Sequence, residues 1–295
     1  MRTVLKGIVF LCLVGAGATP ALAQQQPAAV WDSVGRILGT PATSAAGYIR
    51  FNLPRRDLTV HIGDVTVAPA LALGTWAGFS GAPSDATMMG DLVLTAAEVG
   101  PVLAELAHQN IAVTAVHNHL VGEQPEIVYV HFLGQGNALD LATRLDRVVT
   151  RTGTPRPVAA APAAALTIDT AAVFEALGRR GTARGNVAQV GFMLVPGTVT
   201  MSGRTLAPAL AYGSPVNIQM VGQSRAVATG DFAVLDASVA GVVGALGAHG
   251  ITATAVHSHM IGDSPHVNYI HFWADGPLPD LLRGLRAAVD AGHGP

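Results

Sequence analysis

Apolar and polar positions alternate in short runs through the first third of the chain and then change period. Leu58 to Val67 and Pro69 to Phe79 alternate weakly around Gly63-Asp64 and Gly74, which predicts short antiparallel strands joined by turns, and Met88 to Leu94 reads as a further strand. Thr95-Ala-Ala-Glu98 has the form of a capping box, and Val99, Leu103 and Leu106 follow at helical spacing, so a helix is expected to end near Gln109-Asn110. Pro101 removes an amide donor and is placed near the first turn or at a kink. Ile111 to Leu120 and Ile127 to Leu133 read as strands rich in β-branched residues, and Ala138 to Val149 as a helix with Leu141, Leu145 and Val148 on one side. The order is a β-meander followed by α-β-β-α, an α+β unit with its helices on one sheet face.

This unit is written twice. Ile111 to Thr150 and Ile251 to Asp290 align without a gap at 16 identities in 40 positions, far above chance. Upstream, Pro69-Ala-Leu-Ala-Leu-Gly74 matches Pro208-Ala-Leu-Ala-Tyr-Gly213, and Gly90-Asp91 matches Gly230-Asp231. The expected organisation is repeat 1 over residues 30–150, a Pro/Ala-rich linker over 151–168 and repeat 2 over 169–292, with the copies packed about a pseudo-twofold axis.

The duplicated segments carry histidines. Ala115-Val-His-Asn-His119 and Tyr129-Val-His131-Phe132 return as Ala255-Val-His-Ser-His259 and Tyr269-Ile-His271-Phe272. Histidines one residue apart on a strand share a face, so His117 and His119 are placed on one face with Val113 and Ala115. If the next strand pairs antiparallel through the loop Val121 to Glu126, His131 converges on them. The loop adds an acid in each copy, Glu123 and Asp263. The resulting sets are His117, His119, Glu123, His131 and His257, His259, Asp263, His271. Neutral imidazole suits Zn, Cu, Fe and Ni, so a divalent metal, Zn or Cu, is the expected cofactor. The competing reading is a structural network of histidines bonded across the sheet or between the copies, with no metal. His-x-His followed by Glu also resembles the first metal motif of cupins, but the glycine expected after it and the second motif are missing. No Gly-x-Ser-x-Gly, phosphate loop or dinucleotide fingerprint marks a nucleophile or a nucleotide site. His108 and His249, one position out of register, suit helix ends, and His61, His266 and His293 have no counterpart in the other copy.

Residues 1–23 have the features of a cleavable secretory signal: Arg2 and Lys6, an apolar run from Gly7 to Val14, and Ala21-Leu22-Ala23. The run is too short to be retained as a membrane helix. Cys12, the sole cysteine, lies inside it and lacks the small residue that precedes a lipidation cysteine, so a periplasmic or secreted protein without disulfides is expected. Loss of Arg2 and Lys6 moves the net charge from −2 to −4. With no basic patch, nucleic acid is an unpromising partner. The charged fraction is 12%, about half of what soluble domains typically carry, which leaves room for an apolar interface within the chain or with an envelope protein or small molecule.

Taken together, Ile-x-Val-Thr-Ala-Val-His-Asn-His-Leu, Glu-x-Pro, Tyr-Val-His-Phe-x-Gly and Ala-Leu-x-Leu-Ala resemble the LppY/LpqO family of exported bacterial proteins, over both copies. The resemblance implies a signal-bearing duplicated domain of unassigned biochemical role. The family's namesakes look like lipoproteins, and this chain departs from them in lacking the lipidation cysteine.

Overall fold

The computed structural model describes residues 20–158, 168–184 and 186–294, with side chains from residue 28 onward. Most of the expected signal, Cys12 and residues 159–167 of the expected linker lie outside these. The first repeat contains α1 (Pro20–Leu38), β1 (Ala42–Ala45), β2 (Tyr48–Pro54), β3 (Val60–Ile62), β4 (Val65–Val67), β5 (Gly74–Ala82), β6 (Asp85–Thr95), α2 (Ala96–His108), β7 (Ala112–His117), β8 (Ile127–Gly136) and α3 (Ala138–Val149). The second contains α4 (Thr170–Ala176), β9 (Thr182–Arg184), β10 (Val187–Phe192), β11 (Thr200–Met201), β12 (Arg204–Thr205), α5 (Pro208–Ala211), β13 (Ser214–Met220), β14 (Arg225–Val234), α6 (Asp236–Ala248), β15 (Thr252–His257), β16 (Asp263–Ser264), β17 (Asn268–Pro277) and α7 (Leu278–Gly292). Each repeat builds a six-stranded antiparallel sheet, in the order β1-β2-β5-β6-β8-β7 and its equivalent β9-β10-β13-β14-β17-β15. The chain is thus α+β, with one architecture used twice. Among the described residues no helix is long and apolar enough to cross a membrane.

Period-two alternation gives each sheet two different faces. In the first, Phe51, Leu53, Ala77, Phe79, Met88, Leu92, Leu94, Val130 and Phe132 point to one side. There they form a core with Val34 and Leu38 of α1, Val102 and Leu106 of α2, and Leu141, Leu145 and Val148 of α3. The second sheet packs on α4, α6 and α7 in the same way, through Val190, Ile218, Phe232, Ile270 and Phe272. The opposite faces meet each other. Met89, Tyr48, Trp76 and Leu133 of the first repeat pack with Leu210, Tyr212, Ala233 and Tyr269 of the second. Conversely, Val187, Val227 and Trp273 of the second pack among Val60, Leu71, Leu73, Val93 and Tyr129 of the first. Burying a large apolar side chain contributes roughly 1.5–3 kcal/mol, so neither inner face is stable facing water.

The segments before β5 and β13 cross over reciprocally. Residues 69–73, expected as strand, instead coil, with the Leu71 and Leu73 amides donating to Ala68 and Pro69 at 2.8 and 3.0 Å. Tertiary bonding explains the departure: the Ala70 and Leu71 carbonyls accept from Gln189 and Asn217 of the other sheet at 3.1 and 3.0 Å. Gln219 bonds Thr66 and Ala68 on both of its amide atoms, each at 2.9 Å. In the other direction Leu210 fills the space over Gly78, where a Cβ would lie 2.4 Å from Leu210 Cδ1 and 2.9 Å from Tyr48.

The capping box at Thr95 is present, the Glu98 carboxylate accepting the Thr95 amide at 2.8 Å. The same carboxylate holds the buried Arg55 guanidinium, at 2.7 and 3.0 Å. Pro101 lies just past the first turn of α2, on its exposed side. The predicted strand Ile111 to Leu120 stops at His117. Helix α1 straddles the expected repeat boundary at residue 30; its Trp31, Val34 and Leu38 are spaced to face α3.

Candidate metal centre

The inner sheet faces carry the histidines. Asp91 on β6 pairs directly with His131 on β8, and β8 pairs with β7 through Ala115↔His131 and His117↔Tyr129. Directly opposed residues of an antiparallel pair lie on the same face, which gathers Asp91, His117, Tyr129 and His131. The second repeat has the same register: Asp231↔His271, Ala255↔His271 and His257↔Tyr269. Both edge strands carry a bulge, between Val113 and Ala115 and between Ala253 and Ala255. The extra residue inverts the alternation. Val113 therefore packs with the helix-side core, not on the histidine face where the period of two places it. In the second repeat the bulged Thr254 donates to the His119 carbonyl at 2.6 Å, a bond between the copies.

All six duplicated histidines meet at the junction of the two sheets. His117 and His257 face each other with ring centroids 4.0 Å apart. On either side stand two stacks of three rings, each drawing on both repeats. In one, Tyr129 lies 3.6 Å from His119, and His119 lies 3.9 Å from His271. In the other, Tyr269 lies 3.7 Å from His259, and His259 lies 3.7 Å from His131. The tyrosine hydroxyls anchor the stacks to the crossing segments, Tyr129 donating to the Ala72 carbonyl at 3.0 Å and Tyr269 to that of Ala211 at 2.6 Å.

Three groups bring ligand atoms within 4.8 Å of one another: His117, His257, His259, His271; His117, His119, His131; and His119, Asp231, His271. The Nε2 atoms of His259 and His271 are 3.2 Å apart. Two nitrogens bound to a tetrahedral Zn at about 2.0–2.1 Å are separated by about 3.3 Å. Asp231 lies 2.5 Å from His271 Nδ1. A carboxylate there fixes the imidazole tautomer and leaves Nε2 as the donor atom. Asp91 lies 3.8 and 3.9 Å from the Nε2 atoms of His119 and His131.

Buried polar atoms without partners concentrate here. They are both ring nitrogens of His117 and of His257, Nε2 of His119 and of His131, and Oδ1 of Asp91; Thr114 Oγ1 on the adjoining bulge is the other such atom among the described residues. Such atoms are rare in folded proteins, because each forfeits its bonds to water. Burial, reinforced by neighbouring imidazoles, holds His117, His119 and His259 well below the usual histidine range. It brings His131 to about 3 and His257 to about 4, although Asp231 partly offsets the shift in both. Neutral imidazole is the ligating form. Burial, and then the nearby Asp231, push the Asp91 carboxyl well above its usual range. The donor set fits a transition ion: neutral nitrogens and unpartnered lone pairs, in a largely buried site.

The loop acids lie elsewhere. Glu123, 3% exposed, accepts the Ile127 amide at 3.1 Å. Asp263 accepts the Val267 amide at 2.8 Å and lies 3.2 Å from His266 Nδ1. Neither belongs to a close ligand group; both brace the loop that follows His119 or His259. Asn118 and Ser258 act alike, donating to the Ile127 and Val267 carbonyls at 3.2 Å. The carboxylates that do reach the histidines, Asp91 and Asp231, were marked in the sequence only by the repeated Gly-Asp. His61 bonds through its backbone to Gln124 of the same loop, at 2.8 and 2.9 Å.

No curated protein matches the chain. One solved structure that it resembles is a fused permuted hexameric shell protein from the RMM microcompartment, at 14% identity over 71% of this chain and 86% of that one, with a TM-score of 0.19. That score carries no structural argument. A family match covers both repeats, at residues 32–151 and 171–291, and by it the chain belongs to the family described as Domain of Unknown Function (DUF1259).

Proposed function

We propose that this protein binds a divalent transition metal, Zn or Cu, at one histidine centre shared by its two repeats. The observation that carries the reading is the concentration of unpartnered buried nitrogens on His117, His119, His131 and His257, to which metal coordination would give partners, one nitrogen per ring. The reciprocal contacts, His119 with His271 and His131 with His259, support a pseudo-twofold axis passing between His117 and His257. Kinship with the LppY/LpqO proteins and export through residues 1–23 belong to the same reading. A bound ion supplies Lewis acidity. The chain supplies neutral imidazoles, tautomer control from Asp231 and shielding by the two ring stacks. The rival function is an envelope module, binding a protein or small molecule, in which the histidines are structural.

Metal content by inductively coupled plasma mass spectrometry decides between them. The tag-free mature protein, purified without chelator, is compared with a His117→Ala/His119→Ala/His257→Ala/His259→Ala variant. Near-stoichiometric metal that disappears in a still-folded variant supports the proposal. No metal, even after reconstitution with Zn, Cu, Mn and Fe, refutes it and leaves the structural network.

A further inference from the structure

A single ion leaves the centre incomplete. Placed in the four-histidine group of His117, His257, His259 and His271, it has four candidate ligands. His119 Nε2, His131 Nε2 and Asp91 Oδ1, all on the first repeat, then remain buried and unpartnered, beside the second ring nitrogens of His117 and His257. The six histidines also divide without remainder. His117, His119 and His131 have ligand atoms within 4.8 Å of one another, and so do His257, His259 and His271, which fall inside the four-membered group. Each trio comes from one repeat and has a carboxylate of the same repeat beside it: Asp91 lies 3.8–3.9 Å from two members of the first, and Asp231 lies 2.5 Å from His271 in the second while also reaching within 4.8 Å of His119.

Resting on the reading above, we infer that the centre is dinuclear, holding two divalent transition ions at once, one on each histidine trio, with Asp91 and Asp231 as the carboxylate partners. Charge favours the same count. Two cations held close together in a largely buried centre repel unless anions accompany them, and the fold places one carboxylate beside each trio. Oxygen-seeking Mg and Ca are disfavoured by a set of six imidazoles to two carboxylates, and Zn, Cu, Fe or Ni favoured. With the ring centroids of His117 and His257, one from each trio, 4.0 Å apart, two ions so held would lie close enough to interact magnetically.

The test titrates the metal-free mature protein with Cu(II), reading bound equivalents by mass spectrometry and electron paramagnetic resonance. The expected result is two equivalents per chain, with a spectrum at full loading that shows dipolar coupling or loses intensity relative to the copper bound. One equivalent, or two without any coupling, overturns the dinuclear centre while leaving the single-metal reading in place. No tight copper, with no other metal bound, overturns both. A His257→Ala/His259→Ala/His271→Ala variant is expected to keep one equivalent with an uncoupled spectrum. Asp91→Asn is expected to weaken one equivalent by about 10–100-fold and spare the other. The wild-type stoichiometry and coupling decide the matter even if the triple variant does not fold.

Discussion

Replacing the two central histidines should stabilise the metal-free protein. His117→Leu/His257→Leu removes four ring nitrogens that are buried without partners. Each such atom carries a desolvation cost of about 1–3 kcal/mol, and replacing it with apolar volume relieves that cost. Leucine does not reproduce the shape of imidazole, so a packing penalty of about 1–1.5 kcal/mol per site is charged against the gain. Taking the lower end for each atom leaves a net gain of about 1–2 kcal/mol, and mid-range values leave more. In a protein of this size each kcal/mol moves Tm by roughly 2–4 °C, so the chelator-treated variant should melt several degrees above chelator-treated wild type.

Metal should reverse the order. At an ion concentration about 100 times Kd, binding adds about 2.7 kcal/mol to the wild type, whereas the variant, stripped of the central pair, should gain little. The assay is thermal unfolding of both proteins in chelator and in excess Zn. A variant that is destabilised by 2 kcal/mol or more in chelator, with no metal effect on the wild type, would refute the reasoning. It would mean that the central rings are held by bonds that matter to the fold.

Acid should also destabilise the metal-free protein. His119, His131 and His259 stay neutral in the fold while the unfolded chain takes up protons below about 6.5, so stability present above that pH is lost as pH falls, down to about 3, where His131 titrates. Each such group costs about 1.4 kcal/mol per pH unit; urea midpoints that stay flat between pH 7.5 and 5 would contradict this. Glu98→Gln should cost about 2–3 kcal/mol in chemical denaturation, because Arg55, 1% exposed, then loses its charge partner on that side and keeps only Asp57; a loss below about 0.5 kcal/mol would show that Asp57 suffices. Gly78→Val should cost about 1–3 kcal/mol by displacing Leu210 from the seam between the repeats, and an unchanged urea midpoint would show that the seam yields freely. Glu123→Gln should leave metal content unchanged and raise amide exchange at Ile127, since its carboxylate holds that N–H; loss of metal would make Glu123 a ligand.

Local signals in the sequence carried the reading a long way, and tertiary register limited it. Helix α3 begins and ends where Leu141, Leu145 and Val148 predict, and the Thr95 capping box opens α2. The histidine trios were legible because duplication repeated them against a divergent background. Asp91 was not, although it falls inside the expected strand Met88 to Leu94, because the pattern along one strand does not say which strand lies beside it. Only the pairing of β6 with β8, about 40 residues apart in sequence, sets Asp91 opposite His131. Val113 changed face because one bulged residue, invisible to a period-two count, inverts the strand. The crossing of residues 69–73 onto the other repeat depends on Gln189, Asn217 and Gln219, whose side chains look like ordinary polar strand positions.

The two half-sites share their residues but not their surroundings, and this bears on how the centre works. At the offset that aligns the two Pro-Ala-Leu-Ala segments, Arg50 in the first repeat corresponds to Gln189 in the second. Arg50 stacks on Trp76 at 4.0 Å and acts on Asp91, where its positive charge opposes the rise that burial imposes on that carboxyl. Gln189 is neutral and spends its amide on Ala70 and Asn217. Asp231 instead lies 2.5 Å from His271 Nδ1, beside the Gly230 carbonyl at 3.4 Å, while Asp91 stands off from both of its histidines by nearly 4 Å. A ligand set already held in position loses less freedom on binding. On the dinuclear reading proposed above, the second trio is therefore expected to be the tighter of the two seats.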